Sequence, residues 1–254
     1  MSTLTNSISV ENAAAEFRQR GFVKLSGLFS EKEVHAWRDE CDRLIDLDIV
    51  SPTNLRTPFK NPAIPFPEKI DPVVDISPVF KKLAHDDRIV NVVHSIFQDN
   101  PLLFKDKLIY KLPSMNGYGL HQDWAWGWQH LAAADDLLSV SLQIDEATKD
   151  NGCIELFENY HERLISAEGE ERGINDEERK QIDHDKAHLM ETVPGDVLIF
   201  HSLTPHQSGK NHTTHPRRSL YLTYNAERSG HLRDDYYKHY MENIVGKQMN
   251  GHFI

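Results

Sequence analysis

Two histidines and one aspartate, carried by two distant segments, have the residue types and spacing of a metal site. Residues 118–126 contain His121 and Asp123, two positions apart, and a second segment, residues 202–211, contains His206. Side chains two positions apart on a β-strand project from the same face. If the first segment is a strand, His121 and Asp123 reach one ion together, and His206 supplies a third ligand. The pattern therefore predicts a three-ligand metal site.

The spacing of the first pair is weak on its own. With 15 histidines and 39 acidic residues in 254 positions, chance alone gives about two pairs in which an acidic residue stands two positions after a histidine. Two such pairs are present, and the other one is His85 and Asp87. That second pair lies in a stretch whose apolar spacing is helical, where acids favour a helix start. The surrounding residues must therefore support the metal interpretation.

Two imidazoles and one carboxylate, with open positions opposite, are typical of non-haem Fe(II) oxygenases. Three protein ligands leave three octahedral positions, two for a chelating cosubstrate and one for dioxygen. Arg217 follows the second segment, and a guanidinium matches a carboxylate with two parallel hydrogen bonds. These residues indicate an oxygenase whose dicarboxylate cosubstrate is held by the metal and by Arg217.

The elements that must position these residues change in character near residue 100. The chain before that point is mainly helical, with helices predicted at 10–20, 30–47 and 77–97 and a strand at 22–26. Residues 48–76 are rich in proline and lack periodicity, so an irregular covering loop is predicted there.

The chain after residue 100 alternates between apolar and polar residues, as strands do. The predicted strands are residues 102–111, 137–144, 153–157, 195–200 and 218–224. A charged insertion at residues 162–186 is predicted to be a solvated surface loop, and residues 229–243 a C-terminal helix. Helices followed by short strands predict an α+β protein, an antiparallel sandwich or barrel with helices packed outside.

The composition argues against several partners. A net charge of −11 disfavours nucleic acid, because phosphate binding needs clustered Lys and Arg. No apolar run approaches the roughly 20 residues needed to span a bilayer, and the N-terminal residues lack a signal-peptide pattern. Cys41 and Cys153 are expected to be reduced, buried thiols. We therefore expect a cytoplasmic protein with a small-molecule substrate; the sequence predicts no oligomeric state.

Several short motifs follow one another in a fixed order. They are Gly21-Phe22-Val23 before a helix, Lys111 ten residues before His121, His121-Gln122-Asp123-Trp124, Asn151-Gly152-Cys153, Gly195-Asp196 before an apolar strand, His206-x-Ser208-Gly209-x-Asn211, and Arg217 eleven residues after His206. Each motif is weak singly, but the order and spacing are specific. In these motifs, residues 12–228 resemble the phytanoyl-CoA hydroxylase-like family of Fe(II)/2-oxoglutarate dioxygenases.

The resemblance implies a fold and a set of ligands. The fold would be an α+β, cupin-like double-stranded β-helix (a jelly roll) at about 102–228, with flanking helices mainly at about 10–97, in one domain over residues 1–254. The implied Fe(II) ligands are His121, Asp123 and His206. Arg217 matches the residue that binds the distal carboxylate of the cosubstrate 2-oxoglutarate, and Ser208 the hydroxyl that assists it. Lys107 occupies a strand position where family members make further cosubstrate contacts. Dioxygen is the other implied cosubstrate.

Two of these assignments have neighbouring alternatives. Arg218 could take the role of Arg217, although the spacing from the distal histidine favours Arg217. His201 could replace His206, although it ends the apolar strand before the turn. The related halogenases have Ala or Gly in place of the carboxylate ligand, so Asp123 favours hydroxylation over halogenation.

The substrate is predicted by charge alone. Arg56, Lys60, Lys105 and Lys107 are cationic residues in segments that could border the pocket. They favour a small anionic substrate, such as an aminoalkylphosphonate or a carboxylate. The expected reaction is hydroxylation of an unactivated C–H bond, with release of succinate and CO₂.

Two other classes of protein fit some of the same residues. A zinc or other metal hydrolase on a cupin-like barrel would use the three ligands, but it leaves Arg217 unexplained and lacks an obvious general base. A non-enzymatic binding domain of the same fold would keep the two histidines as sheet residues. Metal analysis, followed by oxygen-dependent release of succinate from 2-oxoglutarate, distinguishes the three classes.

Overall fold

The secondary structure follows the predicted change from helices to strands. The computed structural model describes residues 8–46, 55–58, 67–167, 169, 172–240 and 242. Its helices are α1 (Val10–Arg20), α2 (Glu31–Asp46), α3 (Pro78–Leu83), α4 (Asp87–Phe97), α5 (Asp176–Arg179) and α6 (Arg233–His239). Its strands are β1 (Phe22–Leu25), β2 (Leu55–Pro58), β3 (Pro67–Asp71), β4 (Pro101–Lys111), β5 (Leu137–Gln143), β6 (Ile154–Phe157), β7 (Ala187–Leu189), β8 (Val197–His201), β9 (His206–Ser208) and β10 (Arg217–Ala226).

Side-chain caps explain why the first helices begin and end where the sequence predicts. Ser30 and Glu33 form a reciprocal capping box at the start of α2, with Ser30 N donating to Glu33 Oε2 at 2.8 Å. Gly21 ends α1 in the left-handed region at φ 86°, where its N–H reaches Phe17 O. None of the described helices combines the length and apolar character that crossing a bilayer requires.

Two antiparallel sheets form the β core. One has seven strands in the order β1-β8-β5-β10-β4-β3-β2, and the other has three in the order β7-β6-β9. Side chains from both sheets, including Phe22 and Phe200 from the larger and Leu156 from the smaller, pack together between them. This two-sheet arrangement with helices outside agrees with the predicted sandwich.

The alternation along β5 separates two environments. Leu138, Val140 and Leu142 belong to the main hydrophobic core, which also contains residues of α1 to α4. Ser139 and Ser141 point the other way, into the space between the sheets, and are at most 2% exposed. Both faces of the strand are therefore covered, and the inner face is polar.

The irregular loop predicted at 48–76 is wrong for the described part of that segment. Strands β2 and β3 pair antiparallel, and β3 pairs with β4 through Lys69 opposite Ile109. The prolines obscure this pattern because Pro58 and Pro67 lie at strand ends, where proline is tolerated. The larger sheet therefore extends into the part of the chain that was predicted to be helical and irregular.

The solvated loop predicted at 162–186 is also wrong in part. Ile165 and Ile182 are buried against Leu120 and Phe157, and α5 lies within the segment. The described residues of this insertion thus pack as a cover beside His121. The C-terminal helix predicted at 229–243 begins later than predicted, since α6 starts at Arg233 after a separate 3₁₀ turn, Glu227–Ser229. The end of the predicted helix lies outside the described residues.

Candidate metal centre

Backbone hydrogen bonds bring the two histidine segments together. His121 N donates to His206 O at 3.0 Å, and His206 N donates to His121 O at 2.9 Å. This isolated bridge places the two imidazole ring centres 4.1 Å apart. The expectation that Asp123 lies on the same strand is wrong, because the chain turns after the bridge and Asp123 begins a 3₁₀ turn. The carboxylate therefore approaches from the turn.

The three ligand atoms converge on one point. Oδ1 of Asp123 lies 3.7 Å from Nε2 of His121 and 3.9 Å from Nε2 of His206. All three atoms lie within 4.8 Å of one another. Small side-chain rotations are enough to bring them to the roughly 2.1 Å typical of nitrogen and oxygen ligands of a divalent metal.

Neighbouring groups orient each ligand. The Nδ1 atoms of His121 and His206 lie 2.7 and 3.0 Å from the carbonyl oxygens of Gly119 and Thr204. A proton on Nδ1 satisfies these carbonyls and leaves the Nε2 lone pairs for the metal. Ser139 Oγ donates to Oδ2 of Asp123 at 3.0 Å, so the other oxygen, Oδ1, faces the two histidines.

The protonation states also suit a cation. Burial, followed by the neighbouring His206, lowers the pKa of His121 to about 3. Burial likewise lowers the pKa of His206. Burial acts to raise the pKa of Asp123, but its interactions with the two histidines and with the Lys107 and Lys105 ammonium groups outweigh burial, so the pKa lies below its ordinary value. Two neutral imidazoles thus face one carboxylate, which is the donor set of an Fe(II) site.

Gln122 fixes the position of the motif, a role that the sequence reasoning did not assign. Its side-chain Nε2 donates to Leu203 O at 2.6 Å and to Arg163 O at 2.8 Å. Its Oε1 accepts from Ile165 N at 2.7 Å. The buried amide therefore connects both ligand segments to the covering insertion.

A narrow cavity of about 20 Å³ lies beside these ligands. Its lining includes Lys105, Lys107, Asp123, Trp128, His206 and Tyr221. The Lys105 ammonium lies 4.9 Å from the ring centre of Tyr236 in α6, and the Lys107 ammonium lies 5.3 Å from that of Tyr221. Within the described part of the chain, neither ammonium has an ion pair or a hydrogen bond. Burial, followed by the charge of Lys105, lowers the pKa of Lys107 to about 8.

Arg217 lies in the interior and Arg218 does not. The Arg217 side chain donates to Ser219 Oγ at 2.7 Å and to Gly152 O at 3.1 Å. Its buried Nε atom has no hydrogen-bond partner among the described residues, so the guanidinium can still bind an anion. Arg218 instead pairs with Asp145 at 2.8 Å on the other side of the strand.

The remaining predicted residues divide between the site and its surroundings. Ser208 lies beside Lys111, the register partner of Arg217; its Oγ accepts from Lys111 Nζ at 2.9 Å and from Tyr118 N at 3.1 Å. His201, the alternative ligand, lies outside the metal-ligand group and pairs with Asp135 at 3.3 Å. Lys60 lies outside the described residues. The backbone of Arg56 lies in β2 opposite Ile70, but its side chain is not among those that the structure describes.

Lys111 is a site residue whose role the sequence reasoning missed. It served there only as a spacing marker before His121. The structure buries it completely, beside Arg217. One feature of the sequence could have indicated this role: Lys111 ends a strand of alternating residues, on the same face as Lys105 and Lys107.

A His-Asp-His group inside a two-sheet antiparallel core, beside a buried arginine, defines a non-haem iron oxygenase that uses 2-oxoglutarate. The sequence profile of the family described as phytanoyl-CoA dioxygenase matches residues 17–219. The chain belongs to that family, as the resemblance predicted.

Characterised relatives and solved structures agree with this assignment. A methylphosphonate hydroxylase from Gimesia maris is 27% identical over 242 residues, which cover 91% of this chain and 86% of the relative. A 2-aminoethylphosphonate dioxygenase from an uncultured bacterium is 23% identical over 230 residues, covering 88% and 84%. The crystal structure of EctD from S. alaskensis with 2-oxoglutarate and 5-hydroxyectoine superposes with a TM-score of 0.75 at 24% identity, covering 90% of this chain and 80% of EctD. The predicted fold class, α+β with a cupin-like core, is confirmed.

Proposed function

We propose that this enzyme hydroxylates a C–H bond of a small alkylphosphonate, consuming 2-oxoglutarate and dioxygen and releasing succinate and CO₂. One observation carries the proposal. The cavity that contains Asp123 and His206 also contains two ammonium groups, those of Lys105 and Lys107, without an anionic partner among the described residues. A phosphonate supplies the missing negative charge next to the metal position.

The relatives support a phosphorus-containing anion. The chain is similar to a methylphosphonate hydroxylase and to a 2-aminoethylphosphonate dioxygenase, each over more than four fifths of both chains.

The lining favours a simple alkylphosphonate over an aminoalkylphosphonate. Among the described residues that line the cavity, Asp123 is the only carboxylate, and the metal uses it. These residues therefore offer no free acid for a substrate ammonium. We expect methylphosphonate to be the better substrate of the two.

The chain's own residues position the reactants. Bound Fe(II) and 2-oxoglutarate supply the oxidation, in which one oxygen atom of dioxygen enters the C–H bond and the other enters succinate. His121, Asp123 and His206 would hold the metal, and two of these ligands, Asp123 and His206, line the cavity. Lys105 binds the phosphonate, and the aromatic ring of Trp128 excludes water from the reacting carbon.

We also propose that the reaction takes place in the cytoplasm. Cys41 and Cys153 are free and buried. Burial raises the pKa of these thiols to about 12 and about 11, so both stay protonated and unreactive. Free thiols are usual in a reducing compartment.

The test is a turnover screen with Fe(II)-loaded protein. Succinate formation is measured with methylphosphonate, 2-aminoethylphosphonate, acetate and a neutral alcohol of similar size, with and without oxygen. Oxygen-dependent succinate release that methylphosphonate stimulates most supports the proposal. Stimulation by the neutral compound alone excludes the phosphonate, and oxygen-independent hydrolysis of any compound excludes the oxygenase.

A further inference from the structure

Lys111 and Arg217 place two basic groups side by side in the protein interior. They are register partners on β4 and β10, with 0% and 6% of their surfaces exposed. Lys111 Nζ and Arg217 Nη2 each donate to the same carbonyl oxygen, Gly152 O, at 3.1 Å. The two nitrogens are therefore separated by no more than about twice that distance.

No carboxylate accompanies this pair within the described residues. The other contacts of the two cations are to neutral hydroxyls, from Lys111 to Ser208 and from Arg217 to Ser219. The Nε atom of Arg217 is buried without a partner. Two like charges this close repel strongly in a low-dielectric interior, and a buried charge needs a counter-charge. The geometry thus has the form of an anion site with two cationic ligands.

We propose that Lys111 is a second cationic ligand, beside Arg217, for the distal carboxylate of 2-oxoglutarate. This inference rests on the proposed function. Ser208 completes the site, because its oxygen accepts hydrogen bonds from Lys111 and from Tyr118 N. Its own hydroxyl hydrogen is left to be donated to the same carboxylate.

Gly152 makes the arrangement possible. Its φ of +72° lies in the left-handed region, and a Cβ there would lie 2.7 Å from Lys111 Nζ and 2.3 Å from Gly209 O. A glycine at this turn allows its carbonyl to accept from both cations at once.

The binding of the carboxylate is linked to a proton. Burial, followed by the charge of Arg217, lowers the pKa of Lys111 to about 7, and Cys153 is the other titratable group that acts on it. A bound carboxylate favours the charged ammonium and raises this pKa. Binding therefore takes up a proton at any pH between the free and the raised pKa. The affinity for 2-oxoglutarate falls as the pH rises through that window, by at most about tenfold per pH unit.

Isothermal titration calorimetry tests whether 2-oxoglutarate binding takes up a proton at Lys111, and it needs no enzymatic turnover. Mn(II)-loaded protein is titrated with 2-oxoglutarate in the absence of oxygen at pH 8, in two buffers with different ionisation enthalpies. The difference between the two binding heats, divided by the difference between the two ionisation enthalpies, gives the number of protons taken up. We expect uptake approaching one proton for 2-oxoglutarate and none for 2-oxobutyrate, which lacks the distal carboxylate.

The Lys111→Met variant assigns the proton to its residue. It should bind 2-oxoglutarate on the order of ten- to a hundredfold more weakly, without proton uptake, because one charge-assisted contact is lost. Lys149→Met removes an exposed lysine near the same turn and should behave like the natural protein. Because the wild-type titration needs no variant, the test holds even if Lys111→Met fails to fold.

The outcomes separate this inference from the function on which it rests. No proton uptake in the wild-type protein, equal uptake with 2-oxobutyrate, or unchanged uptake in Lys111→Met overturns the role of Lys111 while 2-oxoglutarate binding stands. Failure of the Mn(II)-loaded protein to bind 2-oxoglutarate at all overturns the proposed function itself.

Discussion

Asp123 divides its carboxylate between the metal position and the scaffold. Oδ1 faces the two histidines, and Oδ2 accepts from Ser139. Asp123→Ala removes the only anionic ligand, so we expect the Fe(II) affinity to fall by at least about a hundredfold and substrate hydroxylation to be lost. Metal content after dialysis and hydroxylated product both report this. Asp87→Ala changes the other His-x-Asp pair, in α4, and should retain the metal; equal metal loss in both variants contradicts the assignment.

Lys105 is the residue on which phosphonate recognition is expected to depend most. Its ammonium is held among aromatic rings, with Tyr236 the nearest at 4.9 Å and Tyr240 at 5.5 Å. Lys105→Met keeps the length of the side chain and removes the charge, so the KM for methylphosphonate should rise on the order of tenfold or more. The KM for 2-oxoglutarate should stay within about twofold. A rise confined to 2-oxoglutarate would assign Lys105 to the cosubstrate instead.

Among the single elements, the turn before β6 that contains Gly152 is expected to matter both for stability and for cosubstrate binding. Gly152→Ala forces a Cβ into the left-handed region and against Gly209 O. We expect a loss of at least about 2 kcal/mol in the free energy of unfolding, measured by denaturant titration, together with weaker 2-oxoglutarate binding. Gly209→Ala is the matched control, since its added Cβ meets only Gly152 Cα at 3.9 Å. Equal destabilisation by the two substitutions would contradict the reasoning.

Elements with local signals were predictable from the sequence, and elements with long-range causes were not. The capping box at Ser30 and the glycine after α1 specify helix ends within a few residues. The strands of residues 55–71 owe their existence to pairing with β4, a distant partner that no local pattern reveals. Strand propensity depends strongly on such neighbours.

In the candidate site, too, local features were predictable from the sequence and features with long-range causes were not. The ligand types and their order along the chain were readable, because they follow from chemistry. The turn at Asp123 was not, since it results from pairing between His121 and His206, 85 positions apart in the sequence. The polar inner face of β5 was equally hidden, because serines on alternate positions are also typical of a solvent-facing strand.

For the whole molecule, ligand binding should raise stability measurably. The metal ligands come from the 3₁₀ turn at Asp123 and from β9, and the proposed cosubstrate ligands, Lys111 and Arg217, come from β4 and β10. At a hundredfold excess over its Kd, a ligand stabilises the folded state by about 2.7 kcal/mol. For a chain of this size, we expect Mn(II) alone at such an excess to raise the Tm by about 5–10 °C, and 2-oxoglutarate to raise it further. Scanning calorimetry measures this, and a comparable rise in Asp123→Ala would contradict the metal site.

The covered faces of β5 have a consequence for how this enzyme can diversify. Side chains toward the helices belong to the main hydrophobic core, whereas Ser139, on an intervening position, lines the cavity and hydrogen-bonds Asp123. Substitutions at the intervening positions can change the substrate selectivity without changing the hydrophobic core. An insertion or deletion of one residue within the strand would do the opposite, because it turns every leucine inward and every serine outward at once. Divergence here should therefore proceed by replacement, with changes of length confined to the connecting segments.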